Sequence, residues 1–191
     1  MTHGLTASPV VRGLPLRLSY TGRDSREIPM ASKMSAGILL HRVRDGRREV
    51  LLVHPGGPFW ARKDEGAWSI PKGEYDPVHE EPRSAALREF AEETGQTLQL
   101  GVEEPAESTM RPLGARRQAG GKTVHAWALA GDCDAEHIVS NRFAMEWPPR
   151  SGTMREFPEV DRAGWFTLPE ARQKMLPAQA GFLDELEKML K

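Results

Sequence analysis

The chain has 191 residues, 39% hydrophobic and 28% charged, with a formal net charge of −1, which suffices for one domain with a packed core. That balance provides no electrostatic grip on nucleic acid or an anionic membrane surface, and no run of about 18 apolar residues is present to span a bilayer. Cys133 is the only cysteine and the six histidines are scattered, so an intrachain disulfide and cysteine or H-x-x-x-H zinc sites are excluded, and a reducing, cytoplasmic setting is expected. Residues 1–33 carry five basic residues against two acidic ones and show no sustained periodicity. They read as a disordered or non-native N-terminal extension rather than a transit peptide.

From Ser35 the pattern becomes regular. Ala36 to Val43 and Glu49 to His54 are β-rich runs around Asp45-Gly46, a hairpin signal. Pro55 to Gly66 is a Gly/Pro-bearing loop, and Ala67 to Ile70 reads as a short strand leading into a Pro71-Lys72-Gly73 turn. An acidic helix follows, with Pro82 suited to its first turn and Gly95 to its left-handed end. Thr97 to Val102, Thr123 to Ala130 and Gly164 to Thr167 read as further strands. Gln118 to Lys122 is a Gly-rich hairpin loop without the strand and helix of a P-loop. Thr167-Leu168-Pro169-Glu170 is a capping-box pattern, and Phe182, Leu183, Leu186, Met189 and Leu190 form an amphipathic stripe suited to core or a dimer surface. A central helix between strand groups implies a mixed α/β layered fold.

The stretch from Gly73 to Gln96 carries the chemistry: it holds seven carboxylates in 24 positions. At about 100° per residue, Ala86, Leu87, Phe90, Ala91 and Thr94 share one core-facing arc, and Arg88, Glu89, Glu92 and Glu93 fill the opposite one. Glu89, Glu92 and Glu93 stand at i, i+3 and i+4, so their side chains are neighbours. Carboxylates that close repel one another unless a cation sits among them. A hard divalent ion takes oxygen ligands and usually shares its remaining positions with water and phosphates. The plain alternative, a solvated acidic face with Arg88 and Glu92 as an ordinary i, i+4 pair, does not account for the fixed spacing around the cluster.

That spacing is Glu80, seven residues, Arg88-Glu89-Phe90, one residue, Glu92-Glu93, one residue, Gly95, and it resembles the Nudix box. Six fixed positions match by chance on the order of 1 in 10⁷ per starting point, which sets the solvated-face alternative aside. The chain departs from the family pattern twice. Six residues rather than five separate Gly73 from Glu80, within a Pro77-bearing loop, and Gln96 stands where the family prefers an apolar residue. The resemblance spans roughly Met34 to Leu190, so residues 34–191 are expected to form a Nudix hydrolase domain, a mixed β-sheet sandwiched between α-helices. The pre-box loop is similar to a bacterial subgroup of nucleotide pyrophosphohydrolases. Its Trp68-Ser69-Ile70-Pro71-Lys72-Gly73 stretch is more loosely similar to the diadenosine-tetraphosphate hydrolases.

The resemblance implies a Mg²⁺- or Mn²⁺-dependent pyrophosphohydrolase that cleaves a phosphoanhydride bond in a nucleoside or dinucleoside polyphosphate. It implies Glu89, Glu92, Glu93 and Gly73 at the metal, with Arg88 and Glu80 orienting the carboxylates. The general base is one of the box glutamates or a downstream one, Glu159 being the best positional match and Glu156 the next. Lys72 and Lys63, with His54 and Arg62, are candidates for phosphate oxygens. Trp60, Tyr75 and Phe59 are candidates to stack on a base, their alternative being ordinary packing. A nucleotide sugar, ADP-ribose, an inositol polyphosphate or an RNA 5′ end are alternative substrates. A non-catalytic nucleotide-sensing module is the alternative of another class, disfavoured because every box carboxylate is present. Expected partners are a small nucleotide and no membrane or nucleic acid, for a monomer or homodimer.

Overall fold

The computed structural model describes residues 33–98 and 110–191. The expected N-terminal extension and the strand over 97–102 lie outside these residues, except for Lys33, Thr97 and Leu98, none of which is in a strand. Two long strands, β1 (Met34–Arg44) and β2 (Arg47–Pro55), form the hairpin expected around Asp45-Gly46. Both turn residues have positive φ, 52° and 73°, the pairing that matches the right-handed twist of the flanking strands. The remaining strands are β3 (Lys72–Tyr75), β4 (Arg111–Arg117), β5 (Thr123–Ala130), β6 (Arg142–Glu146), β7 (Met154–Pro158) and β8 (Val160–Thr167).

The main sheet runs β4-β5-β1-β2-β8, with β1 and β5 parallel, and β3 joins antiparallel to the first half of β1. The two strands β6 and β7 form a separate sheet. Side chains alternate across β1 and β2. Ala36, Ile38, Leu40 and Leu51 pack with α1 (Pro82–Thr94), whereas Leu39, Val50 and Leu52 pack with α2 (Leu168–Lys174) and α3 (Gly181–Met189). The result is the expected mixed sheet between helices. Among the described residues no helix is long and apolar enough to cross a membrane.

Two assignments change. Ala67 to Ile70 is not a ladder strand: it makes only isolated bridges, Val53 to Ser69 and Trp68 to Met175. Its β-like apolar character reflects burial on all sides, since none of the four residues is more than 8% exposed. The strand instead falls on Lys72–Tyr75, expected to be turn and loop, where Gly37 lets β1 and the incoming chain approach closely. Strands β4, β6 and β7 are too polar to announce themselves, and β8 extends four residues upstream of the expected Gly164.

Helix α1 starts on Glu81, whose carboxylate accepts the Ser84 N–H at 2.9 Å, with Pro82 at its first position. It ends at Gly95, with φ of 73°, whose N–H reaches the Ala91 carbonyl. Its buried stripe is Ala85, Ala86, Glu89, Phe90 and Thr94, turned relative to the expected arc so that Leu87 and Ala91 are only half-buried. At α2, the Thr167 N–H and hydroxyl both donate to Glu170, as the capping pattern predicts. On α3, Phe182, Leu183 and Leu186 are fully buried, and Met189 and Leu190 pack beside them.

Candidate active site

The turn of α1 places two glutamates at the seam with β3 rather than on an outer face. Glu89 is 9% exposed, and a Cβ built on Gly73 would lie 1.8 Å from its Oε2. Only glycine at this position leaves room for that carboxylate. One turn on, Glu93 accepts the Lys72 N–H at 3.0 Å. Burial is the largest influence on both groups and raises both above the ordinary glutamate range, Glu93 to about 7. For Glu93 the Lys72 charge and N–H oppose the rise, while Glu89 and Glu159 add to it. For Glu89 it is Arg88 that opposes, and Glu92 and Glu159 that add.

Arg88 ties the outer carboxylates of Glu80 and Glu92 to the buried Glu89. Its Nε and Nη2 donate to the two Glu80 oxygens at 2.8 Å each, a bidentate fork. Its Nη1 donates to Glu89 at 2.6 Å and to Glu92 at 3.2 Å, and Nη2 also reaches the Glu74 carbonyl at 3.3 Å. These bonds raise the arginine well above its ordinary value, with Glu80 the largest contributor, and lower Glu80 in turn. The loop before α1 therefore keeps Glu80 two helical turns from Arg88 and in contact with it, despite its extra residue.

Glu159 lies in the β7–β8 connection, and its charge is felt by both Glu89 and Glu93. A relay of backbone bonds holds it there: Asn141 N–H to the Glu92 carbonyl at 3.1 Å, Glu159 N–H to the Asn141 carbonyl at 2.8 Å, and Gly56 N–H to the Glu159 carbonyl at 2.8 Å. Ser140 secures the joint, its Oγ accepting the Val160 N–H at 3.1 Å and donating to the Val160 carbonyl at 3.0 Å. Nothing in the sequence marks Ser140 and Asn141, because their role arises only where the segment crosses the end of α1. Glu156, by contrast, lies on β7 beside Arg142.

The pre-box loop leaves Gly56 beside Glu159. Lys63 lies over the half-buried Trp60 ring at 4.3 Å, and the exposed Phe59 meets Trp147 edge-on at 5.2 Å. Two residues of this group stand elsewhere. Tyr75 is 8% exposed and packs with Ala85, Ala86 and Phe90, so its ring is a core residue and not a stacking surface. His54 is fully buried, with Nδ1 on Asp161 at 2.6 Å and Nε2 on the Lys63 carbonyl at 2.9 Å, so it holds the loop rather than a phosphate.

Among the described residues, no group of three or more His, Cys, Asp or Glu is gathered closely enough to hold an ion as it stands. The Arg88 guanidinium supplies the positive charge between Glu89 and Glu92. The donor set fits a hard divalent cation in kind. It is all oxygen, and two of its carboxyls are raised by burial and by their acidic neighbours, a cost that a dication relieves.

A family model described as NUDIX domain matches residues 32–186. In fold the chain is similar to a C. elegans Ap4A hydrolase solved as a binary complex, with 23% identity over 83% of this chain and 97% of that one and a TM-score of 0.55. It is also similar to the Nudix domain of Shewanella oneidensis NrtR complexed with ADP ribose, with 18% identity, 84% and 90% coverage and a TM-score of 0.55. A third likeness is a mutT/nudix family protein from Listeria innocua, with 18% identity, 83% and 93% coverage and a TM-score of 0.51. The family-model match covers most of the chain, including the arginine-clamped acidic helix, and the chain belongs to the Nudix family, as a hydrolase acting on phosphoanhydride bonds.

Proposed function

We propose that the protein is a Mg²⁺-dependent pyrophosphohydrolase acting on a nucleoside or dinucleoside polyphosphate. The observation that carries this reading is the buried pair Glu89 and Glu93 at the α1–β3 seam, both raised by the charge of Glu159, beside Lys72 and the basic, aromatic 57–63 loop. Glu89, Glu92 and Glu93, with the Gly73 carbonyl, would hold the divalent ion. When bound, that ion neutralises phosphate charge and acidifies a water. Arg88 and Glu80 are positioning residues, fixing the outer carboxylates through the guanidinium fork. Lys72 and Lys63 take phosphate oxygens, and Trp60 offers a ring face to the base. Glu159 and Glu93 are the two candidate acceptors of the water's proton, Glu93 because its raised value suits a base near neutral pH. A small-molecule substrate, a cytoplasmic location and a monomeric or homodimeric state complete the reading, the location being supported by the lone, half-buried Cys133.

The test is a substrate panel with Mg²⁺ or Mn²⁺ and mass analysis of the products. It includes nucleoside triphosphates, dinucleoside polyphosphates, nucleotide sugars, ADP-ribose, inositol polyphosphates and triphosphorylated RNA. The proposal expects (di)nucleoside polyphosphates to be cut fastest. Preferential turnover of any other class reassigns the substrate, and no turnover at all favours a nucleotide-sensing module. The pH–rate profiles of E159Q and E93Q then separate the two candidate bases, because the true base loses one limb of its profile when replaced.

A further inference from the structure

A cavity of about 550 Å³ opens at the end of the sheet away from the acidic cluster, between the last turn of α3 and the C-terminal half of β1. From Ala36, which faces Gly73, to Arg42 the strand runs roughly 20 Å, so this space is separate from the acidic cluster. Its floor and rim are apolar, formed by Val43, Ala128, Ala130 and Leu190, and Val43 is 65% exposed. Its charge is basic. Arg42 and Asp132 on its wall neutralise each other at 2.6 Å, with Glu49 as a further partner of Arg42. Arg48 and Arg111 remain, with no carboxylate partner among the described residues. Arg111 is steadied by a 3.5 Å contact from Nη1 to the Met189 carbonyl. The Nε of Arg48 is buried and makes no hydrogen bond.

A buried guanidinium N–H without an acceptor is costly unless a ligand satisfies it. Two guanidinium groups beside an apolar floor match a molecule with an anionic head and an apolar or aromatic body. The volume lies in the range of small-molecule sites. We propose that this cavity is a second ligand site, separate from the hydrolytic one, that binds a small amphipathic anion. Its phosphate or carboxylate head sits on Arg48 and Arg111, and its apolar body lies against Val43, Ala128, Ala130 and Leu190.

The experiment titrates the full chain, in EDTA, with 1-naphthyl phosphate, 1-naphthoate, 2-naphthol and inorganic phosphate by calorimetry, with methyl NMR to locate the probe. The expected result is that one naphthyl anion binds at least tenfold more tightly than 2-naphthol or inorganic phosphate and shifts the Ala128, Ala130 and Met189 methyl signals. The tighter of the two anions identifies the head as phosphate or carboxylate. R48Q should weaken binding at least tenfold. Because R48Q removes a partly buried side chain, V43E serves as a second variant. Val43 is exposed and is the cross-strand partner of Arg48, so the new carboxylate competes for the same guanidinium without disturbing the core. Binding within twofold of wild type in V43E and in folded R48Q overturns the site. So does the absence of binding by either anion, or a response confined to Trp60 and Lys72.

Discussion

Gly73→Ala tests the link between the β3 seam and the reaction. A Cβ at position 73 would stand 1.8 Å from Glu89 Oε2 and 2.1 Å from its Cδ, whereas ordinary contact begins near 3.4 Å. The Glu89 carboxylate must therefore move about 1.6 Å, away from β3, breaking its alignment with Glu93 and Arg88. A displacement of about 1 Å at a reacting centre costs on the order of 10²-fold in rate, so kcat should fall by about that factor. Folding should suffer much less. The clash is with the end of a side chain, and overpacking of this kind costs about 1–3 kcal/mol, a loss of roughly 2–12 °C in Tm for a chain of this size. The assay is phosphate release on the best panel substrate, with a thermal melt on the same samples. Gly46→Ala is the control. Gly46, unlike Gly73, has positive φ, and no atom lies within 4 Å of its added Cβ, so it should lose stability without losing turnover. Turnover by G73A within threefold of wild type would refute the reasoning that Glu89 must lie in that seam.

Four further outcomes are expected. In EDTA, Glu93 is held up to about 7 against an ordinary 4.5, so the fold favours its neutral form. Its contribution is full below about pH 4.5 and is lost as pH rises through about 7, by roughly 3 kcal/mol, and thermal melts of E93Q should lack that decline. Adding Mg²⁺ above pH 7 should raise Tm in the wild type and much less in E92Q or E93Q, since a ligand of the folded state alone stabilises it; equal shifts in all three proteins would remove these carboxylates from the metal. R88K should recover little of the activity lost in R88A, because a lysine cannot make the bidentate fork to Glu80, and full rescue by R88K would show that charge alone suffices. S140A should cost about 1 kcal/mol by removing its bonds to Val160 and should lower kcat with little change in KM; an unchanged kcat would uncouple the Asn141–Glu159 relay from turnover.

Much of the local structure was readable because it rests on short-range physics. The β1–β2 hairpin follows from Asp45-Gly46 between apolar runs, α1 from its proline start and glycine end, and α2 from the reciprocal Thr167–Glu170 pattern. The apolar stripe of α3 is buried where its periodicity puts it. The strands that escaped notice are polar ones. β4 reads RPLGARR, and only its pairing with β5 makes it a strand. Ala67 to Ile70 misled in the opposite sense, since complete burial imitates a strand without the ladder.

The acidic helix shows where sequence stops and tertiary structure takes over. The spacing from Glu80 to Gly95 determined by itself that an arginine and several carboxylates would share one helix, because helical periodicity depends only on position along the chain. It could not say which carboxylates face inward, because the rotation of a helix about its own axis is decided by what it packs against. Gly73 settles that here: the missing side chain on β3 admits Glu89, and the Lys72 N–H then receives Glu93. The approach of Glu159, the burial of Tyr75 and His54, and the basic cavity beyond β1 likewise depend on contacts between residues far apart in sequence. Such contacts have no period to read, and they exist only once the sheet has closed around its two cores.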